Sequence, residues 1–129
     1  MHTMKTLKIF LIAFLIPFLS KADQFDDVIA FMKAANSSSI SKMMNTNVEL
    51  TLVENEGMYS RQQAEMMLKN FFNQNPPKSV VVQHRGSAAQ GAKYAIAIYE
   101  SNGIKYRAYV FMKDSGTGLM IHELRFEKE

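Results

Sequence analysis

No cysteine occurs anywhere in the chain. That excludes disulfides, thiolate-bound metal, a thiol nucleophile and a lipid-attachment cysteine behind a leader. Long apolar runs are missing too. The run Ile9 to Leu19 would rise only about 16 Å as a helix, roughly half a bilayer core. No glycine-rich phosphate loop, nucleophile elbow or Ser/His/Asp arrangement can be assembled, and no repeat or linker divides the chain. His84 and His122 lie too far apart for an H-x-H or H-x-x-x-H pattern, so neither metal nor cofactor is expected.

What the chain does have begins with a leader. His2, Lys5 and Lys8 precede the apolar run, and Ser20-Lys21-Ala22 puts small residues at positions −3 and −1 of a cleavage site. This layout predicts a signal peptide over 1–22, cleaved after Ala22, and an exported product, periplasmic or secreted, that is soluble and not stably inserted in a membrane. Of the fifteen Lys and Arg, Lys5, Lys8 and Lys21 lie in that leader, which leaves twelve against twelve Asp and Glu. A net charge near zero gives no electrostatic footprint for nucleic acid. Residues 23–129 are the length of a single domain.

Periodicity predicts a first helix over Gln24 to Ala35, with Phe25, Val28, Ile29 and Met32 on one face. Ser37-Ser38-Ser39 would cap a short second helix carrying Ile40, Met43 and Met44. A strand is expected at Val48 to Leu52. Ser60 and Gln63 form a capping box for a third helix with Ala64, Met67, Leu68 and Phe71 inside, a Glu65–Lys69 pair outside and Pro76-Pro77 as its stop. Four strands follow, at Ser79 to Arg85, Lys93 to Glu100, Ile104 to Lys113 and Leu119 to Glu127, with short glycine-containing loops between them. The order α-α-β-α-β-β-β-β, with consecutive strands joined by short loops, is that of an α+β domain with a mostly antiparallel sheet.

The Asn102-Gly103 loop decides which side chains face the core, because a slip of one residue flips every side chain. A two-residue turn pairs Ile98 with Arg107, and a three-residue loop pairs Ile98 with Tyr106. The three-residue loop is the preferred reading. It gathers Tyr94, Ile96, Ile98, Ile104, Tyr106, Ala108, Val110 and Met112 on one apolar face, joined by Met120, His122, Leu124 and Phe126.

Several strings then resemble a known family. They are Val48-Glu49-Leu50, Tyr59-Ser60 with Gln63-Ala64-Glu65, Phe71-Phe72, Asn75-Pro76-Pro77, His84 with Gly86, Tyr94-Ala95-Ile96, Asn102-Gly103 with Tyr106-Arg107, and Leu124-Arg125-Phe126-Glu127. Together they resemble an uncharacterised family of short exported proteins from Gram-negative bacteria, a domain of unknown function. The element order is similar to the nuclear transport factor 2-like superfamily. The resemblance implies a cone, a curved sheet wrapped by helices, and supplies no catalytic or ligand residue. That superfamily includes enzymes, ligand-binding modules and scaffolds, so the fold alone selects no function.

In the preferred register Tyr94, Tyr106 and His122 face the cone's interior, and His84 joins them if Val80 and Val82 point inward. Those four are the ligand-pocket candidates, since histidine exchanges protons near neutral pH and a tyrosine hydroxyl polarises a carbonyl. The competing reading is that they are packed residues whose polar tips reach backbone partners. No inward carboxylate accompanies them, and no catalytic residue is singled out. Tyr99, Arg107, Tyr109 and Phe111 are interface candidates on the opposite face, where a homodimer is expected. The function expected is a non-enzymatic module binding a small apolar ligand or an envelope protein. The alternatives are an isomerase- or dehydratase-like enzyme using the His/Tyr group, and a purely structural subunit of an envelope complex.

Overall fold

The computed structural model describes residues 24–116 and 118–129; the leader expected over 1–22 lies outside them. Helix α1 (Gln24–Lys33) buries Phe25, Val28, Ile29 and Met32, with Asp26 and Asp27 in its first turn and Lys33 in its last, as the helix dipole favours. Ala35 takes φ 54° and breaks the helix two residues later. The cap of α2 (Ser37–Lys42) is Asn36, whose side chain accepts from Ser39 N at 3.0 Å, so the serines fill the first turn rather than cap it. Met44, expected in α2, opens strand β1 (Met44–Leu52) and is fully buried there.

β1 turns back at Val53, which has φ 62°, into β2 (Asn55–Ser60), a strand absent from the expected order. A β-branched residue at positive φ is costly. Its N–H donates to Phe126 O at 2.7 Å, which ties the turn to β6, the strand beside β1. Helix α3 (Arg61–Gln74) starts on the expected capping box and buries Ala64, Leu68, Phe71 and Phe72. Glu65 does not pair with Lys69; its carboxylate accepts from Ser41 Oγ at 2.9 Å and joins α3 to α2.

β3 (Ser79–Ser87), a 3-10 turn at Ala89–Gly91, β4 (Lys93–Ser101), β5 (Ile104–Asp114) and β6 (Leu119–Lys128) complete the chain. The sheet order is β2-β1-β6-β5-β4-β3. β1 and β6 run parallel and every other neighbouring pair is antiparallel. The helices pack on one face of this curved sheet, in an α+β, nuclear transport factor 2-like cone.

The register differs from the preferred one. Asn102 and Gly103 have φ 52° and 78°, both positive, as a two-residue type I′ turn requires. Ile98 therefore pairs with Arg107, and Tyr99 with Tyr106. The slip flips β4: Ala95, Ala97, Tyr99 and Ser101 go under the helices, while Tyr94, Ile96 and Ile98 face away. Tyr106, Ala108, Val110 and Met112 are inside as expected, and Ile104 is exposed. In β6 a bulge opposite Phe111 and Met112 turns Ile121 inward and leaves His122 half-buried beside it. Met120 is likewise only half-buried, whereas Leu124 and Phe126 lie in the core.

At the wide end of the core, Phe71 packs against Phe72, Tyr99, Tyr106 and Phe126 with ring centroids 4.9–6.1 Å apart. Two tyrosine hydroxyls in this cluster reach one residue. Tyr99 donates to Asn75 O, and Tyr106 donates to Asn75 Oδ1 at 3.0 Å. Asn75 ends α3, and its own N–H and side-chain amide both donate to Phe71 O, at 2.7 and 3.1 Å. Burial, reinforced by Tyr106, pushes the Tyr99 hydroxyl well above the usual phenol range, so it stays a donor.

Candidate sheet-face interface

Strands β3 to β6 present a second face that no described helix covers. Its central feature is a ladder of rings. His84 Nε2 and Tyr94 Oη are 3.0 Å apart, with ring centroids at 5.6 Å, and Tyr94 stands 6.2 Å from Tyr109. Gly86 makes this possible: a Cβ there would lie 2.5 Å from the Tyr94 ring. The bulge between Val82 and His84 brings His84 opposite Ile96, on the outer face.

Beside the ladder, Arg125 donates to Glu123 at 3.1 Å and to Glu127 at 2.7 Å, all three being alternate residues of β6. The hydrogen bonds it donates to Glu127 and then Glu123 raise the guanidinium's pKa further, so the charge is permanent. Arg107 lies across from Glu127 on β5 and makes no side-chain hydrogen bond or ion pair among the described residues. These charges, with Ile96 and Tyr109, surround a shallow depression of 310 Å³. Partial burial raises the Tyr109 hydroxyl's pKa, Glu123 and Tyr94 add to the rise, and Arg125 opposes it.

The four expected pocket residues do not meet. His84 and Tyr94 share the outer face, Tyr106 is in the core on Asn75, and His122 sits at the β6 bulge with Ser115 Oγ 3.3 Å away. Among the described residues neither histidine has a carboxylate as its hydrogen-bond partner. Burial, then Lys113, lowers the His122 pKa. Of the interface candidates, Arg107, Tyr109 and Phe111 are on the outer face as expected, and Tyr99 is fully buried on the other. Tyr94, Ile96 and Ile98 take its place, a consequence of the type I′ turn.

A separate open cleft of 330 Å³ lies between α3 and the β1–β2 turn. Leu52, Val53, Met67 and Phe71 line it together with Asn55, Asn70 and Gln74. Sequence reading missed it. The visible signal was the polar spacing of Asn70 and Gln74 late in α3, with Asn75 as its cap.

Residues 25–127 match the family described as Domain of unknown function (DUF4783). No curated protein matches this chain. Among solved structures, a DUF4783 family protein from Bacteroides uniformis is 23% identical with a TM-score of 0.75, covering 81% of this chain and 95% of its own. A second, from Bacteroides ovatus, is 24% identical with a TM-score of 0.73, covering 79% and 92%. A domain of unknown function with a cystatin-like fold from Nostoc punctiforme is 8% identical at a TM-score of 0.64, covering 81% and 72%. At these identities the likeness is one of fold.

Proposed function

The chain belongs to the DUF4783 family, and from that premise we propose that it is an exported, non-enzymatic module that binds protein through its bare sheet face. The observation that carries this reading is the uncovered face itself. Tyr94, Ile96, Ile98, Tyr109 and Phe111 form a half-buried apolar patch with Arg107 and the Arg125 cluster along its side. Aromatic and arginine side chains are what protein interfaces concentrate. The first partner is a second copy. The face is close to neutral, and across a two-fold axis the unpaired Arg107 can meet a carboxylate of Glu123 or Glu127, each of which otherwise serves only Arg125.

Export rests on the leader over 1–22, and no described helix is long and apolar enough to cross a membrane. The open cleft beside α3 favours a second reading, a small ligand held by apolar Leu52, Met67 and Phe71 and by the carboxamides around them. Nothing in the surroundings of His84 or His122 favours an enzyme.

Sedimentation velocity on protein recovered from expression of the full chain tests the leading reading. A dimer at micromolar concentration that becomes a monomer in Phe111→Arg is expected. A monomer in the unaltered protein that also captures no protein through this face overturns it.

A further inference from the structure

The sheet ends at β3, whose outer backbone edge pairs with no strand among the described residues, and α1 runs beside that edge. Natural proteins protect such edges with charge, proline or a bulge. Here the protection is displaced to the two ends: Pro76 and Pro77 stand before β3, and the bulge and Arg85 come after Val82. The stretch Val80-Val81-Val82 between them is plain, and Val81 is 59% exposed.

A groove follows this stretch. One part, of 440 Å³, lies between Ile29 and Ala30 of α1 and the three valines, and is bounded by the Arg85–Asp26 ion pair. The other, of 350 Å³, continues past Val80 and Val81 to Ser79, Lys78 and Pro77. Lys33 lines both parts. The polarity of the groove is uneven. The Arg85 end is already neutralised, whereas Lys33 and Lys78 at the Pro77 end have no ion pair among the described residues.

We propose that this groove takes the extended C-terminal tail of a partner protein, added as a seventh strand antiparallel to β3. The direction follows from the charges. An antiparallel strand ends where β3 begins, which puts its terminal carboxylate between Lys33 and Lys78. A chain that ends there meets Pro77 without having to pass it. Main-chain bonds to the β3 edge supply affinity, and alternate apolar side chains settle against Ile29 and Val80. An internal acidic residue would leave the rest of its chain no edge to follow beyond Ser79.

The test uses fluorescein-labelled pentapeptides with Val, Ile or Leu at the first, third and fifth positions and Thr or Ser between them. They are made once with a free C-terminal carboxylate and once as the amide. Fluorescence anisotropy should show the free acids binding about tenfold tighter than the amides, since two charge-assisted hydrogen bonds are at stake. Lys33→Ala and Lys78→Ala should each weaken the acids several-fold and leave the amides unchanged. Hydrogen exchange should slow in Ser79 to Val82. Equal binding of acid and amide, protection on the β2 edge or the sheet face instead, or no binding up to about 1 mM would overturn the assignment. The groove shares no lining residue with the Tyr94, Ile96, Ile98, Tyr109 and Phe111 patch, so a failure here and a failure of dimerisation are separate results.

Discussion

The two faces of strands β4 to β6 use the same residue types to opposite ends. Inside, Tyr99 and Tyr106 are buried and both hydroxyls end on Asn75, a residue on another element. Outside, Tyr94 and Tyr109 are half-buried, and Tyr94 meets His84 on a neighbouring strand. Small residues separate the faces further. Ala95, Ala97 and Ala108 let the helices approach the inner side, whereas Ile96, Ile98 and Phe111 stand up from the outer one. The inner face is governed by volume and by the cost of an unpaired polar tip. The outer face is governed by lateral pairing within the sheet and remains available to something else.

The largest test of that contrast is one deletion made on each side. Phe71→Ala empties the centre of the aromatic cluster and should cost about 3–5 kcal/mol, read from urea unfolding. Phe111→Ala outside should cost about 1 kcal/mol or less. Equal losses would mean that the outer face is covered in solution, and would break the comparison in favour of the dimer.

A smaller effect is expected from Gly86→Ala. The added methyl meets the Tyr94 ring, which on an open face can swing aside, so about 1 kcal/mol of stability is lost rather than the larger penalty of an overpacked core. Tyr94→Ala in the same chain should recover most of that loss. A cost that persists without Tyr94 would place the strain in the β3 backbone instead.

The smallest effect is a pH dependence at the edge of the core. Burial and Lys113 hold the His122 pKa below the ordinary imidazole value of 6.5. The unfolded chain therefore binds the proton first as pH falls. Stability from this group is complete above pH 6.5 and declines below it until the folded-state pKa is passed. His122→Gln should flatten the stability profile between pH 7 and 5. An unchanged slope would assign it to other groups.

Sequence reading reached the elements whose signal is local. The Ser60–Gln63 box and the four-residue rhythm of α3 specify that helix without reference to anything else. The sheet register was harder because β4 is apolar on both sides. Tyr94, Ile96 and Ile98 alternate as plausibly as Ala95, Ala97 and Tyr99, so hydrophobic pattern cannot choose, and the turn's two positive φ values do. The candidate sites inherited that error: Tyr94 went from the inner face to the outer one and Tyr99 from the outer to the inner, while Tyr106 kept its face. β2 escaped notice because Asn55, Glu56 and Gly57 carry no alternation; it is an edge strand, defined by its partner β1. The β6 bulge that displaces His122 has no signature in one sequence.

The parallel pairing of β1 with β6 has a consequence for how the chain is made. β6 comes last of the strands in sequence yet sits third in the sheet, joining β2-β1 to β5-β4-β3. Until Leu119 to Lys128 have emerged from the ribosome, the two parts of the sheet share no strand pairing through β6, and Phe71 and Phe72 have no Phe126 to close on. Folding from one end to the other during synthesis is therefore closed to this topology. Each part can form its own hairpins early, but closure of the core waits for the final strand to join them.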